Sequence, residues 1–213
     1  GALPRAVRTH ERLAYAPDAA ERAVHAALAA YRAAVLKPHG EAPPRLAHWL
    51  LQLELGAAGT PHVLNRLCAL RAAVLDDPAE AAGYAARRAA GETLADVLRT
   101  DLSEAETSTH VAVSAACHAD AAVEAAPLAA LRNAVAAWAK ARGGPRRAAA
   151  LAARIEAFWS EHPEEKILVF TAHSLAVAEL AQALGRHLPA AGIATFGAHQ
   201  DEVEREESAA RFR

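Results

Sequence analysis

Lys166-Ile167-Leu168-Val169-Phe170-Thr171-Ala172-His173-Ser174 is the stretch on which the fold reading turns. Its first six residues form a compact apolar run, β-branched in part, after a charged turn. A continuous rather than alternating apolar run is the pattern of a buried parallel strand. Ser174 can cap a helix that runs to about Leu188 and contains Leu175, Val177, Leu180 and Leu184. Gly192-Ile193-Ala194-Thr195-Phe196 reads as a second short strand, and a last helix follows from about Asp201 to Arg213. Strand, helix and strand in about 30 residues make a βαβ unit. One such unit cannot complete a sheet, so 163–213 is expected to be the truncated start of a lobe.

Upstream the texture is helical. Residues 7–15 alternate, with Val7, Thr9, Leu13 and Tyr15 on one side, and predict a short edge strand. Asp18 is placed to cap a helix, with Glu21 at capping-box spacing. Val24, Leu28, Tyr31 and Val35 follow on one helical face. Pro43-Pro44 starts a second helix, with Leu46, Leu50, Leu53 and Leu55, that Gly56 is expected to close. Thr60-Pro61 starts a third, carried by Val63, Leu64, Leu67, Leu70 and Leu75. The Ala-rich stretch 79–127 suggests helices without marking their ends. Leu128 to Trp138 is another helix, ended by Gly143-Gly144-Pro145, and one more runs from about Arg146 to Glu161. The expected architecture is thus mainly α, with a helical region over 1–162 before the partial βαβ unit.

Composition agrees. Of 213 residues, 53% are hydrophobic, but 61 are Ala, the best helix former and a poor source of buried area. No apolar run is long enough to span a membrane, and no secretory leader pattern is present. Cys68 and Cys117 make no disulfide framework, so the expected setting is cytoplasmic. The chain has no Met and stops inside a helical pattern, which reads as a fragment of something larger. Net charge is −2, yet residues 125–155 hold Arg132, Lys140, Arg142, Arg146, Arg147 and Arg154 with no acid. Such a run is either a solvated helix face or a phosphate-facing surface.

Two blocks resemble the Swi/Snf-type DNA-dependent ATPases of helicase superfamily 2, closest to the RapA-like branch. The first holds Leu3-Pro4-Arg5, then Tyr15-Ala16-Pro17-Asp18-Ala19-Ala20-Glu21-Arg22, and ends at Tyr31. The second begins at Pro145-Arg146-Arg147 and continues through Lys166–Thr171, Glu204-Arg205 and Phe212. The middle, about 36–140, has no counterpart. Where family members usually have a Gly before the matching Arg, His199 stands, and the nearest Gly is Gly197. The resemblance implies a helical interlobe region followed by the start of the second RecA-like lobe. It implies a parent that binds ATP and Mg, moves along duplex DNA and acts on a protein–DNA complex or a polymerase. The basic stretch and the loop after the first strand would then face DNA, through Arg142, Arg146, Arg147, Thr171, His173 and Ser174.

The fragment itself is expected to be inactive. It has no Gly-Lys-Thr/Ser phosphate loop, no metal-binding acid motif and no arginine-finger motif, and phosphoryl transfer needs all three. Other chemistry is thin. His110, Cys117 and His118 are the closest approach to a metal set, but adjacent Cys117 and His118 point apart on a helix. His173 and Ser174 have no acid placed to orient the His as in a triad. Trp138 and Phe158 fall with Val135, Leu151 and Ile155 at core spacing, while Trp159 lies off that stripe. The alternatives are a stand-alone helical interaction module and a small α/β enzyme built on Thr171 to Ser174.

Overall fold

The structure, a computed structural model, describes residues 11–39, 41–76, 121–141, 146–171, 175–189, 192–197, 200 and 202–212. Among them it is mainly helical, with seven helices and no strand.

Helix α1 (Ala19–Leu36) starts where the sequence says it should. Asp18 Oδ1 accepts from Glu21 N at 2.8 Å, and Glu21 Oε2 accepts from Asp18 N at 3.1 Å. Such a cap contributes about 1 kcal/mol. Val24, Leu28, Tyr31 and Val35 are its buried stripe. Helix α2 (Pro44–Ala58) opens with Pro at N1, where the missing N–H costs nothing. It runs past Gly56 and ends at Gly59, correcting the expected stop. Gly56 is instead a contact residue: a Cβ there would meet Leu67 Cδ1 at 3.0 Å, so its absence lets the next helix approach. That helix, α3 (Pro61–Asp76), buries Val63, Leu64, Leu67, Cys68 and Val74.

Helix α4 (Ala121–Lys140) begins well before Leu128. Pro127 lies in its second turn, where it removes one intrahelical bond without ending the helix. Leu128, Leu131, Val135 and Trp138 face inward. Helix α4 packs on both α1 and α3, and α2 lies against α3 and α1. These four helices hold the main core.

A buried polar network runs through that core. Arg71 on α3 and Glu124 on α4 form a two-pronged ion pair, Nε to Oε1 at 2.6 Å and Nη2 to Oε2 at 2.7 Å, with both side chains 0% exposed. Tyr31 on α1 donates to Glu124 Oε1 at 2.5 Å, and Trp49 Nε1 on α2 donates to Tyr31 Oη at 2.8 Å. The Arg71 guanidinium also lies 5.8 Å from the Trp49 ring centroid. One residue from each helix therefore meets at one point, and each helix is fixed in register against the others.

Helices α5 (Arg146–Glu161), α6 (Leu175–His187) and α7 (Glu202–Phe212) complete the described chain. Ala152 and Ile155 of α5 and Leu184 of α6 form a second, smaller cluster with Leu188, against which Trp159 and Ile167 pack. Trp159 donates to Glu165 O at 2.9 Å. It therefore belongs to this local cluster.

The expected strands need correction. Residues 11–15, 165–171 and 192–197 are neither helical nor paired in a ladder among the described residues. The first half of the N-terminal alternation, 7–10, lies outside them, as does all of 77–120, including His110, Cys117 and His118. Strand formation needs a ladder neighbour as well as an apolar sequence, and among the described residues these runs have no such neighbour. Nor is the 166–171 run buried: Phe170 is 88% exposed and Leu168 59%.

Candidate functional site

A cleft of about 390 Å³ opens where five parts of the chain converge. Its walls are Leu13 and Tyr15, the α2–α3 junction around Thr60, α5 through Arg147 and Leu151, the run from Val169 to Thr171, and α6 through Glu179 and Leu180. Most of the lining is aliphatic, so the few polar groups decide its chemistry.

Arg147 lies in the first turn of α5. Its Nη2 donates to Ala57 O, near the end of α2, at 2.8 Å. Its guanidinium carbon lies 5.8 Å from the Tyr15 ring centroid and 5.6 Å from that of Trp138. Arginine suits this position because a planar, weakly hydrated cation can lie against aromatic rings. Its Nε is buried and has no hydrogen-bond partner among the described residues.

Thr60 precedes Pro61 at the head of α3 and is 4% exposed. A Thr there ordinarily accepts a hydrogen bond from the first free amides of the helix. Glu179 on α6 takes that role instead, since Oε2 accepts from His62 N at 3.3 Å. The Thr60 hydroxyl is left without a partner among the described residues. A second carboxylate bridges helices in the same way nearby: Glu21, buried and already part of the α1 cap, accepts from Arg146 N at 3.2 Å. Carboxylates at helix N-termini meet unpaired N–H groups and the positive end of the dipole.

The six residues expected to face DNA fare differently. Arg146 has an exposed side chain and no ion pair with a described residue. Arg147 is half-buried and held by Ala57, Tyr15 and Trp138. Thr171 is half-buried and lines the same cleft as Arg147. Arg142, His173 and Ser174 lie outside the described residues. Of the remaining basic stretch, Arg154 pairs with Glu11 at 2.8 Å, and its guanidinium holds the Glu11 carboxyl below the usual range. Arg132 and Lys140 are exposed on α4 without an ion pair to a described residue.

Sequence reasoning missed Thr60 and Glu179 as parts of a site. A signal existed for Glu179, a lone acid within the apolar run Leu175-Ala176-Val177-Ala178-Glu179-Leu180. Thr60 read simply as a cap, and only the fold shows that another residue does the capping. Among the described residues no three His, Cys, Asp or Glu side chains group to hold a metal ion, and no helix is long and apolar enough to cross a membrane. Comparison with protein families, with curated proteins and with solved structures finds no match for this chain.

Proposed function

We propose that this chain is the helical interlobe region and the start of the second RecA-like lobe of a Swi/Snf-type DNA motor. The observation that carries the reading is the uncovered apolar surface on the two non-helical runs beside α6. Leu168, Val169 and Phe170 in one run, and Ile193 and Phe196 in the other, are all exposed. Parallel strands of an α/β lobe are apolar because neighbouring strands and helices cover both faces. Runs this apolar, separated by one helix and followed by another, are what a βαβ unit looks like before the rest of its sheet is added. The Lys166 ammonium donates to Phe212 O and lies 5.6 Å from the Phe212 ring, which ties the last helix back to the first run.

In this reading the motor's ATP and Mg²⁺ sit at motifs that this sequence does not contain, and the fragment alone does not hydrolyse ATP. The bundle acts as a stiff block between lobes. Its four helices share one buried polar network, so lobe movement reaches it as a rigid-body displacement. Duplex DNA is met weakly through Arg142 and Arg146, the latter exposed at the head of α5, with Thr171, His173 and Ser174 as further contacts. The motor's cargo would be a protein–DNA complex or a polymerase, in the cytoplasm. Arg147 is better read as a packing residue, because its guanidinium is already engaged by two rings and a carbonyl.

A second reading, a helical interaction module without motor function, is favoured by the buried polar network that joins α1 to α4. Fluorescence anisotropy with a labelled duplex separates the two. The motor reading expects sequence-independent binding of roughly 10⁻⁴–10⁻⁶ M that weakens steeply with salt. An Arg142→Ala/Arg146→Ala variant should lose most of it and flatten the salt slope by about 0.9 per lost phosphate contact. Unchanged binding in that variant, or none that responds to salt, would overturn the DNA assignment.

A further inference from the structure

We propose that the junction between the α1–α4 bundle and the α5–α6 pair is a latch, a joint held by charges at helix ends that opens and closes as one unit. The inference does not rest on the motor reading. Three features of the junction lead to it.

The first is how little of the apolar core crosses it. Among the described residues the main core is drawn from α1 to α4, and Ala176 at the head of α6 is its one buried member from outside them. Ile155 of α5 and Leu184 of α6 go instead to the separate small cluster. Larger apolar side chains from the two parts, Leu55 on one and Leu151 and Leu180 on the other, line the open cleft of about 390 Å³. Area removed from water is what ordinarily fuses packed layers, and here one Ala carries the core across.

The second is what crosses in its place. Glu21 of α1 accepts at Oε1 from Arg146 N, on the first residue of α5, at 3.2 Å. Glu179 of α6 accepts at Oε2 from His62 N, in the first turn of α3, at 3.3 Å. Arg147 of α5 donates from Nη2 to Ala57 O, in the last turn of α2, at 2.8 Å, and its guanidinium lies 5.6 Å from the Trp138 ring centroid on α4. Each part lends the other a carboxylate. All three charges meet the helix end of opposite sign, where anions suit N-termini and cations suit C-termini. Water can take over each of these end groups, so the joint can part without tearing a core.

The third is stiffness on both sides. The Arg71–Glu124–Tyr31–Trp49 network holds α1 to α4 in register, so Glu21, Ala57 and the head of α3 move together. Ala152 and Ile155 pack with Leu184, so Arg146, Arg147 and Glu179 are carried on one paired unit. Three contacts between two stiff bodies form and break together. Opening widens the cleft between them and frees the head of α5.

The test is amide exchange by NMR on the full chain, read at His62 and Arg146. First-turn amides have no intrahelical partner, so protection at these two reports the latch. Arg147→Met keeps an apolar stem and removes the charge. It should speed exchange at least about threefold at His62, which Glu179 rather than Arg147 holds, and leave the interior amides of α1, α3 and α4 unchanged. Glu179→Ala should do the same at Arg146, which Glu21 holds. In the unaltered chain, raising NaCl from about 0.1 M to about 1 M shortens the screening length from about 10 Å to about 3 Å. That should accelerate both amides by the same factor relative to an unstructured peptide. Should either variant fail to fold, the salt series decides alone. Variants that affect only the amide they touch, unequal or absent responses to salt, or equal acceleration throughout the bundle would each overturn the proposal.

Discussion

The four helices α1 to α4 and the segment from His162 onward are stabilised in different ways. In the bundle nearly every large apolar side chain is covered, and the buried Tyr31, Trp49, Arg71 and Glu124 find one another. In the later segment the buried cluster is small, while Leu168, Phe170, Phe196 and Val203 stand open to solvent. Ala-rich helices bury little area each, so a stable unit needs several of them converging, and the bundle has that convergence. The later segment has one helix, α6, on a small cluster shared with α5, and apolar runs that are largely exposed.

The largest expected effect is in the bundle. Glu124→Ala leaves the Arg71 guanidinium buried without its carboxylate, and removing one partner of a buried pair costs about 3–5 kcal/mol. Urea unfolding of the bundle should show a loss of that size. The double variant Arg71→Met/Glu124→Leu should recover most of it, because the cost lies in the uncompensated charge. A small loss in Glu124→Ala would mean that the network does not hold the four helices together, and the contrast between the regions would narrow.

Tyr31→Phe is the next step down. It removes the acceptor of Trp49 Nε1 and one donor to Glu124, and should destabilise by about 1–3 kcal/mol in the same assay.

Alkaline pH gives a comparable, graded effect. Burial pushes the Cys68 thiol from its usual 9.0 up to about 12. Burial first, then the Glu124 charge, holds the Tyr31 hydroxyl far above its usual 10.0. Above these ordinary values the unfolded chain has lost protons that the folded chain keeps. Stability is thus fully present below about pH 9 and falls as pH rises, by up to about 1.4 kcal/mol per unit for each group. Cys68→Ala should remove the earlier part of the decline, from pH 9 to 10, and leave the part due to Tyr31. A flat stability profile across pH 9–11 would show that neither group is as enclosed as the packing indicates.

The smallest effect should come from the other region. Phe170→Ser changes an 88% exposed side chain and should alter stability by no more than about 0.5 kcal/mol. Its expected consequence is on association: sedimentation at rising concentration should show less self-association than the parent chain, since it removes the centre of an exposed apolar patch. A large stability loss would show that Phe170 is covered in solution.

The readable parts of the sequence were those decided within a few residues. The Asp18–Glu21 capping box, the Val24–Leu28–Tyr31–Val35 stripe, the start of α3 at Pro61 and the span of α5 all follow from local spacing. What failed was decided at a distance. Arg71 and Glu124 are 53 positions apart, and each alone reads as a solvated charge. Gly56 read as a helix stop, but its missing side chain matters to Leu67 on the next helix. The run at 166–171 has a strand's composition without a ladder partner. The basic stretch read as one surface, whereas the fold uses Arg147 for aromatic packing and Arg154 for a surface pair, and leaves Arg146 exposed. The cleft was invisible because its walls come from five separated segments.

The central claim is that the bundle is self-sufficient while the segment after His162 offers an apolar face that its own chain does not cover. Amide hydrogen exchange on the dilute monomer tests this most directly. The account expects the backbone amides of α1, α3 and α4 to exchange near the global unfolding limit, and those of 165–171 and 192–197 to exchange orders of magnitude faster, with α6 and α7 between. Equal protection of the two regions in a monomer would contradict it, and with it the reading of 163–213 as the start of a larger lobe.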